Sequence, residues 1–469
     1  MTDLPVPLRV RRGRSPNCSA VGSVVGLALV SAVVGAAIVN AFADRLARWI
    51  AGPPGDASPS GGGSSTEGGP SSAGGSGPPT VEDQDAPPRL RREAFGGILA
   101  WADPPALLHL DHAGVAALPA STPWGPGNVD VPGALRAPTE VHVSVTDRCP
   151  VACTGCYLEA SPEAREEPSL AVLRDQLDQS AAAGVFEVAF GGGEAALRED
   201  LLDLAEHARA RGLVPNLTTS GFGVTPERAP RMAALFGQVN VSLDGLPGAY
   251  EAVRGWSGAA RGFEALRVLR DAGAAVGVNT VVTSQNLRHL PALAAALADL
   301  GVVEWQWLRF KPSGRGADTY ERFVLAPDDA SSLWPLALDL EARHGLTIRF
   351  DCAMVPFIAE HVDAPSLART LDVSGCVAGE RLITRSAAGR WKPCSFAAED
   401  SDDAPLAEAW RQDPTLRAWR AFADALPAPC STCPWADVCR GGCRVVSRHV
   451  TGESLRPDPE CARVREHRQ

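Results

Sequence analysis

Basic residues are in deficit along this chain of 469 residues: 44 Lys and Arg stand against 55 Asp and Glu, for a net charge of -11. A nucleic-acid partner calls for a basic face or stripe, so generic DNA or RNA binding is not expected. Cysteine is nearly missing from the first 148 residues, because Cys18 is the only one of twelve that precedes Cys149. A small secreted scaffold stapled by disulfides is short and cysteine-dense. A long chain with its cysteines in spaced groups points instead to metal ligation in a reducing compartment. No charge falls between Ala20 and Ala43, a run almost wholly of Ala, Val, Gly, Leu and Ser, with Asn40 its most polar member, that is long enough to cross a bilayer as a helix. Apolar residues are scarce from 52 to 80, where Gly, Ser and Pro dominate and read as a flexible tether.

These shifts divide the chain into a basic segment (1–19), an apolar helix spanning a membrane (20–43), a linker (44–87), a small extension (88–138), a main domain (139–345) and a cysteine-rich domain (346–469). Arg9, Arg11, Arg12 and Arg14 precede the apolar run, and Arg45 and Arg48 follow it. That bias leans toward a cytoplasmic N-terminus and an exported remainder. A signal peptide and an upstream start codon are the alternatives. The extension reads as a β-hairpin followed by a short helix. From Val141 onward, β and α patterns alternate, with strands expected near Val141, Val185, Val214, Val239, Val276 and Glu304. Gly212, Gly273 and Gly301 stand where left-handed helix caps belong. Six βα units imply an α/β fold whose parallel sheet curls toward a barrel, with the active site at the C-terminal strand ends.

The chemistry begins just past the first of these strands, at Cys149, Cys153 and Cys156. A CxxxCxxC loop supplies three thiolates to a cubane that prefers four, which leaves one iron open. Zinc is the alternative; it wants four ligands, and the only near candidate for a fourth is His142. The second strand runs into Gly191-Gly192-Gly193-Glu194, where glycines allow a close backbone approach to a ligand and Glu194 adds a carboxylate. The fourth ends at Val241-Ser242-Leu243-Asp244, and Arg254 follows; a guanidinium is a natural bidentate partner for a carboxylate. A second constellation comprises Cys376, Gly389, Cys394, Cys430, Cys433, Cys439, Cys443 and Cys461, for which zinc-ribbon binding is the alternative.

The three-cysteine loop, the GGGE run, Ser242 and Arg254 together resemble the radical S-adenosylmethionine (radical SAM) superfamily. The later cysteines resemble its seven-cysteine SPASM domain. Pieces such as Leu308-Arg309-Phe310-Lys311-Pro312-Ser313-Gly314-Arg315-Gly316 are similar to peptide maturases of the mycofactocin-maturase type. The resemblance, over about residues 139 to 465, implies a partial (β/α)6 TIM-like barrel with a SPASM domain behind it. It implies a [4Fe-4S] cluster on Cys149, Cys153 and Cys156. It assigns the amino group of S-adenosylmethionine to the GGGE run, the ribose to Ser242 and the methionine carboxylate to Arg254. Gly155 stands where an aromatic is common, which shifts the adenine contact to Tyr157; Ala195 replaces a common Pro. Two auxiliary clusters are implied, one on Cys430, Cys433, Cys439 and Cys461, the other on Cys376, Cys394 and Cys443. Cys352 is the candidate fourth ligand of the latter; without it that cluster keeps an open iron for substrate. The partners implied are a ribosomal precursor peptide or a protein substrate and an electron donor such as flavodoxin or ferredoxin. The cofactor places the catalytic part in the cytoplasm, against the charge bias. A sulfatase-type maturase oxidising Cys or Ser, and a non-catalytic membrane-tethered metal-binding or electron-relay protein, are the competing readings. No residue stands out in the sequence as catalytic acid or base.

Overall fold

The computed structural model describes residues 88–103, 105–119, 134–163, 165–362, 374–401 and 403–468. The basic segment, the apolar run 20–43, Cys18 and the linker lie outside the described residues. Among those described, no helix is long and apolar enough to cross a membrane.

The extension forms three antiparallel strands, β1 (Arg89–Glu93), β2 (Gly96–Ala102) and β3 (Pro105–Asp111), followed by a helical turn at His112–Ala116. The hairpin expected there thus has a third strand, because Pro105–Asp111 pairs with β2 along its whole length. Arg91 pins this sheet to the barrel. Only 1% exposed, it donates to the carbonyls of Pro138 and Gly184 (both 2.8 Å), and its guanidinium lies 4.7 Å from the Phe186 ring centroid. Those contacts lie at the strand entrances, opposite the C-terminal ends.

The main sheet has nine strands, seven of which run in chain order. These are β4 (Glu140–Thr146), β5 (Glu187–Gly192), β6 (Val214–Thr219), β7 (Gln238–Ser242), β8 (Val276–Val282), β9 (Glu304–Arg309) and β10 (Thr347–Phe350). All are parallel, and helices α1 (Leu170–Ala183), α2 (Leu201–Ala210), α3 (Ala229–Leu235), α4 (Ala259–Asp271), α5 (Leu290–Asp299) and α6 (Pro327–His344) connect them. The six strands expected are all present. The sheet also extends past the boundary expected at 345, with β10 beside β9 and β11 (Leu382–Arg385) parallel to β4; β12 (Trp391–Lys392) then pairs antiparallel to β11. Four-residue strands such as β10 and β11 are too short to show a clear period.

Alternation divides the sheet into two faces. Val141, Val143, Val188, Phe190, Val239 and Val241 join Leu177, Leu204, Leu269 and Leu297 in one apolar core. Each such side chain contributes about 1.5–3 kcal/mol on full burial. The residues between them, including Glu140, His142, Glu187, Asn216, Asn240 and Ser242, are half-buried on the opposite face.

Candidate functional site

The strands end together at one edge, and the cysteine loop leaves β4 there. Three later segments hold it. Arg315 donates from Nε to Cys153 O and from Nη2 to Ala160 O, each at 2.9 Å, and Ser313 Oγ donates to Tyr157 O at 3.1 Å. Thr154 N donates to Arg254 O at 3.1 Å, and Trp256 Nε1 donates to Cys153 Sγ at 3.2 Å. Gly155 has a steric reason: a Cβ there would sit 2.6 Å from the Phe310 ring, so an aromatic from the end of β9 fills the place of the missing one. Tyr157 turns toward the cysteine-rich segment, its ring centroid 4.6 Å from that of Phe396. Burial pushes the Cys149 thiol up to about 11, with Cys153, Cys156 and Glu194 adding to the effect. Such thiols ionise when a cation binds them.

The GGGE run lies against this loop. Gly193 N donates to Thr146 O at 2.7 Å and Glu194 N to Arg148 O at 2.8 Å. Side chains at Gly192 and Gly193 would strike those carbonyls at 2.2 and 2.1 Å, whereas a Cβ on Gly191 meets nothing within 4 Å. Gly191 therefore borders free space at the strand end. The Glu194 carboxylate, 2% exposed, is already engaged: Thr219 Oγ1 donates to it at 2.7 Å, Ser220 N at 2.8 Å, Ala196 N at 3.3 Å, and Ser220 Oγ as well. It ties β5 to the end of β6, so an incoming amino group would share a saturated carboxylate.

Ser242 closes β7 in register with Asn279 of β8. Arg254 forms an ion pair with the fully buried Asp244, whose other oxygen accepts Val281 N at 2.8 Å. Burial works against the guanidinium's charge, but Asp244 and Cys153 overcome it and raise the pKa above its ordinary value. Asp244, Trp256 and Phe310 are positioning residues that the sequence reading left without a role. The Ser-Leu-Asp-Gly turn that ends β7 was the one available signal.

The C-terminal cysteines fall into two groups. Cys430, Cys433, Cys439 and Cys461 line one small cavity. Cys352, which follows β10, interacts electrostatically with Cys376 and Cys443, and Cys394 does the same. Burial pushes Cys394 up to about 12 and Cys443 to about 11. Two cations face this second group. Arg444, 1% exposed and over the Trp419 and Phe422 rings, donates from Nη1 to Cys376 Sγ at 3.1 Å, while its Nε and Nη2 have no partner. Lys311 pairs with Asp351, and its charge reaches Cys352 and Cys443. The two groups adjoin: a Cβ on Gly375 would lie 2.0 Å from Cys439 O.

An open parallel α/β barrel carrying a three-cysteine loop and a glycine run at its C-terminal edge defines a class in which a cluster and a nucleotide-bearing cofactor meet at the strand ends. Residues 143–297 match the family model described as the radical SAM superfamily. Mycofactocin maturase MftC of Mycolicibacterium smegmatis is 30% identical over 338 residues, covering 70% of this chain and 83% of that protein. A PqqA peptide cyclase of Streptomyces rochei is 31% identical over 343 residues, covering 70% and 90%. The crystal structure of Streptococcus suis SuiB bound to S-adenosylmethionine superposes with a TM-score of 0.64 at 17% identity, covering 80% of this chain and 98% of SuiB. The chain belongs to the radical SAM superfamily, whose members use a [4Fe-4S] cluster and S-adenosylmethionine.

Proposed function

We propose that this enzyme is a maturase of a ribosomal precursor peptide, with a SPASM-type domain from about residue 346 and the main domain at 139–345. The observation that carries the reading is the meeting of the Cys149, Cys153 and Cys156 loop with the GGGE run and Arg254 at one sheet edge. Two four-cysteine groups lie behind it. The relatives at 30% and 31% identity are named as a maturase and a peptide cyclase, and SuiB is also known bound to its precursor peptide SuiA. A peptide substrate is therefore favoured over the oxidation of Cys or Ser in a folded partner.

Cys149, Cys153 and Cys156 would hold the catalytic cluster. Reduced, such a cluster would supply the electron for reductive cleavage of S-adenosylmethionine, and with it the means to remove a hydrogen atom from substrate. Gly191 leaves room for the cofactor, Arg254 offers the guanidinium edge not used by Asp244, and Ser242 faces the same mouth. Phe310 takes over the aromatic wall lost at Gly155. Cys430, Cys433, Cys439 and Cys461 would hold one auxiliary cluster, and Cys352, Cys376, Cys394 and Cys443 the other. The Glu380 carboxylate feels the Arg444 charge, but the two buried nitrogens Nε and Nη2 still lack hydrogen-bond partners, which is costly without further negative charge beside them. Four thiolates on a cluster supply that charge next to Arg444. A flavodoxin or ferredoxin as electron donor, and a membrane anchor at 20–43, complete the reading.

Anaerobic reconstitution should yield roughly three four-iron clusters per chain, an inference from the cysteine groups. Iron and sulfide counts near a single cluster would defeat the assignment. Trp256→Phe should shift the catalytic cluster to a more negative potential, because a hydrogen bond to a ligand sulfur stabilises the reduced state. An unchanged midpoint in a redox titration followed by electron paramagnetic resonance would show that the Trp256 contact with Cys153 carries no such effect.

A further inference from the structure

Three titratable groups stand side by side on the sheet face away from the helices. Glu140 and Glu187 are partners in the register of β4 and β5, and His142 lies two residues beyond Glu140. The His142 ring is held at both ends, with Nε2 3.2 Å from Glu140 Oε1 and Nδ1 2.8 Å from Ser395 Oγ. A carboxylate only accepts, so the neutral ring carries its proton on Nε2 and takes a hydrogen bond from Ser395 on Nδ1. Strand β11 brings Ser395 there: its Thr384 pairs with His142 in register and lies 3.2 Å, Oγ1 to Oγ, from Ser395. Cys394 is the residue before Ser395. Both ring nitrogens are thus engaged, and the side chain is 33% exposed.

We propose that His142 accepts a proton as an electron reaches the centre at Cys394, with Ser395 and Glu140 as the two ends of the relay. The inference rests on the maturase reading. A substrate that has given up a hydrogen atom becomes a closed-shell product by losing one electron and one proton. An oxidised auxiliary iron-sulfur cluster takes the electron. The proton leaves a substrate X–H bond, passes through the Ser395 hydroxyl and forms N–H on Nδ1, and the imidazolium then donates to both Ser395 and Glu140.

On β4 and the strands beside it the charged groups of this face are Glu140, Glu187 on β5 and Lys392 on β12, with the uncharged Thr384 on β11, while Glu304 on β9 and Arg349 on β10 pair with each other farther round the sheet. Burial disfavours the imidazolium, but Glu140 prevails and raises the His142 pKa above its ordinary value. Burial and the Glu140 charge push Glu187 up to about 7. Reduction adds negative charge beside the ring and tightens proton binding. By linkage, proton binding then raises the potential by the same free energy. The potential should therefore fall as pH rises through a window that begins above the usual imidazole pKa.

The test is a redox titration of the reconstituted holoenzyme, without substrate, followed by paramagnetic resonance on both sides of neutral pH. One auxiliary signal should move to lower potential at the higher pH. His142→Gln should abolish that dependence, and Glu140→Gln should move it to lower pH, while the signal lost in Cys149→Ala serves as internal control. A flat auxiliary potential in the unaltered enzyme, or the same slope in His142→Gln, overturns the proposal. If no auxiliary signal exists at all, the cluster assignment fails and the proposal with it, whereas signals without pH coupling leave the maturase reading standing.

Discussion

Cys149→Ala should reduce 5′-deoxyadenosine formation to background and still leave iron in the C-terminal groups. Cys149 is the most buried of its three cysteines, at 8% exposure, and its backbone N–H is fixed to Ser161 O at 2.8 Å. Alanine fits the same backbone, so the fold should tolerate the change. The loss is one of three thiolates in a site that has no fourth, and two cannot hold a cubane in place. About a third of the iron should disappear, in line with the inference of roughly three clusters. The two C-terminal groups share no cysteine with the loop and should keep their own spectra. Cofactor cleavage that survives this substitution would sink the assignment of the loop, whatever the iron count.

Much of this site could be read from the sequence because its signals are local. The CxxxCxxC loop, the GGGE run and the six strands each show within a window of ten or so residues, by spacing, glycine placement or period-2 alternation. The contacts that hold them together are remote. Trp256 reaches back 103 residues to Cys153, and Ser395 crosses 253 residues to His142. A single sequence carries no mark of such pairings. Glu194 shows the same limit from the other side: its place at the strand end was legible, but its engagement by Thr219 and Ser220 was not. Arg444 and Lys311 read as ordinary cations until burial places them against Cys376, Cys352 and Cys443. His142 was weighed only as a zinc ligand, since nothing local reveals that β11 runs beside it.

Another remote contact joins the barrel to the cysteine-rich segment, and breaking it should have the largest effect on stability. Arg309, the last residue of β9, is 4% exposed and donates to Asp458 at 2.6 and 3.1 Å, to Glu460 at 2.6 Å and to Ala353 O at 2.9 Å. Asp458, 1% exposed, also accepts Cys443 N at 2.8 Å. One carboxylate therefore fixes a barrel strand and a proposed cluster ligand at once. Asp458→Ala leaves the guanidinium buried with only the half-buried Glu460 to balance it. Removing one partner of a buried pair costs about 3–5 kcal/mol, and the Glu460 contact favours the lower end. Denaturant titration of the holoenzyme should show that loss, together with depleted iron at the C-terminal groups and an intact catalytic cluster signal. Asp458→Asn keeps the shape and the acceptor for Cys443 N but removes the charge, so it should retain more iron than the alanine variant. If both variants match the parent in stability and iron content, the junction at Arg309 does not hold the two parts together, and the placement of Cys443 must come from the packing of Val445 and Val446 against Phe310 and Phe323.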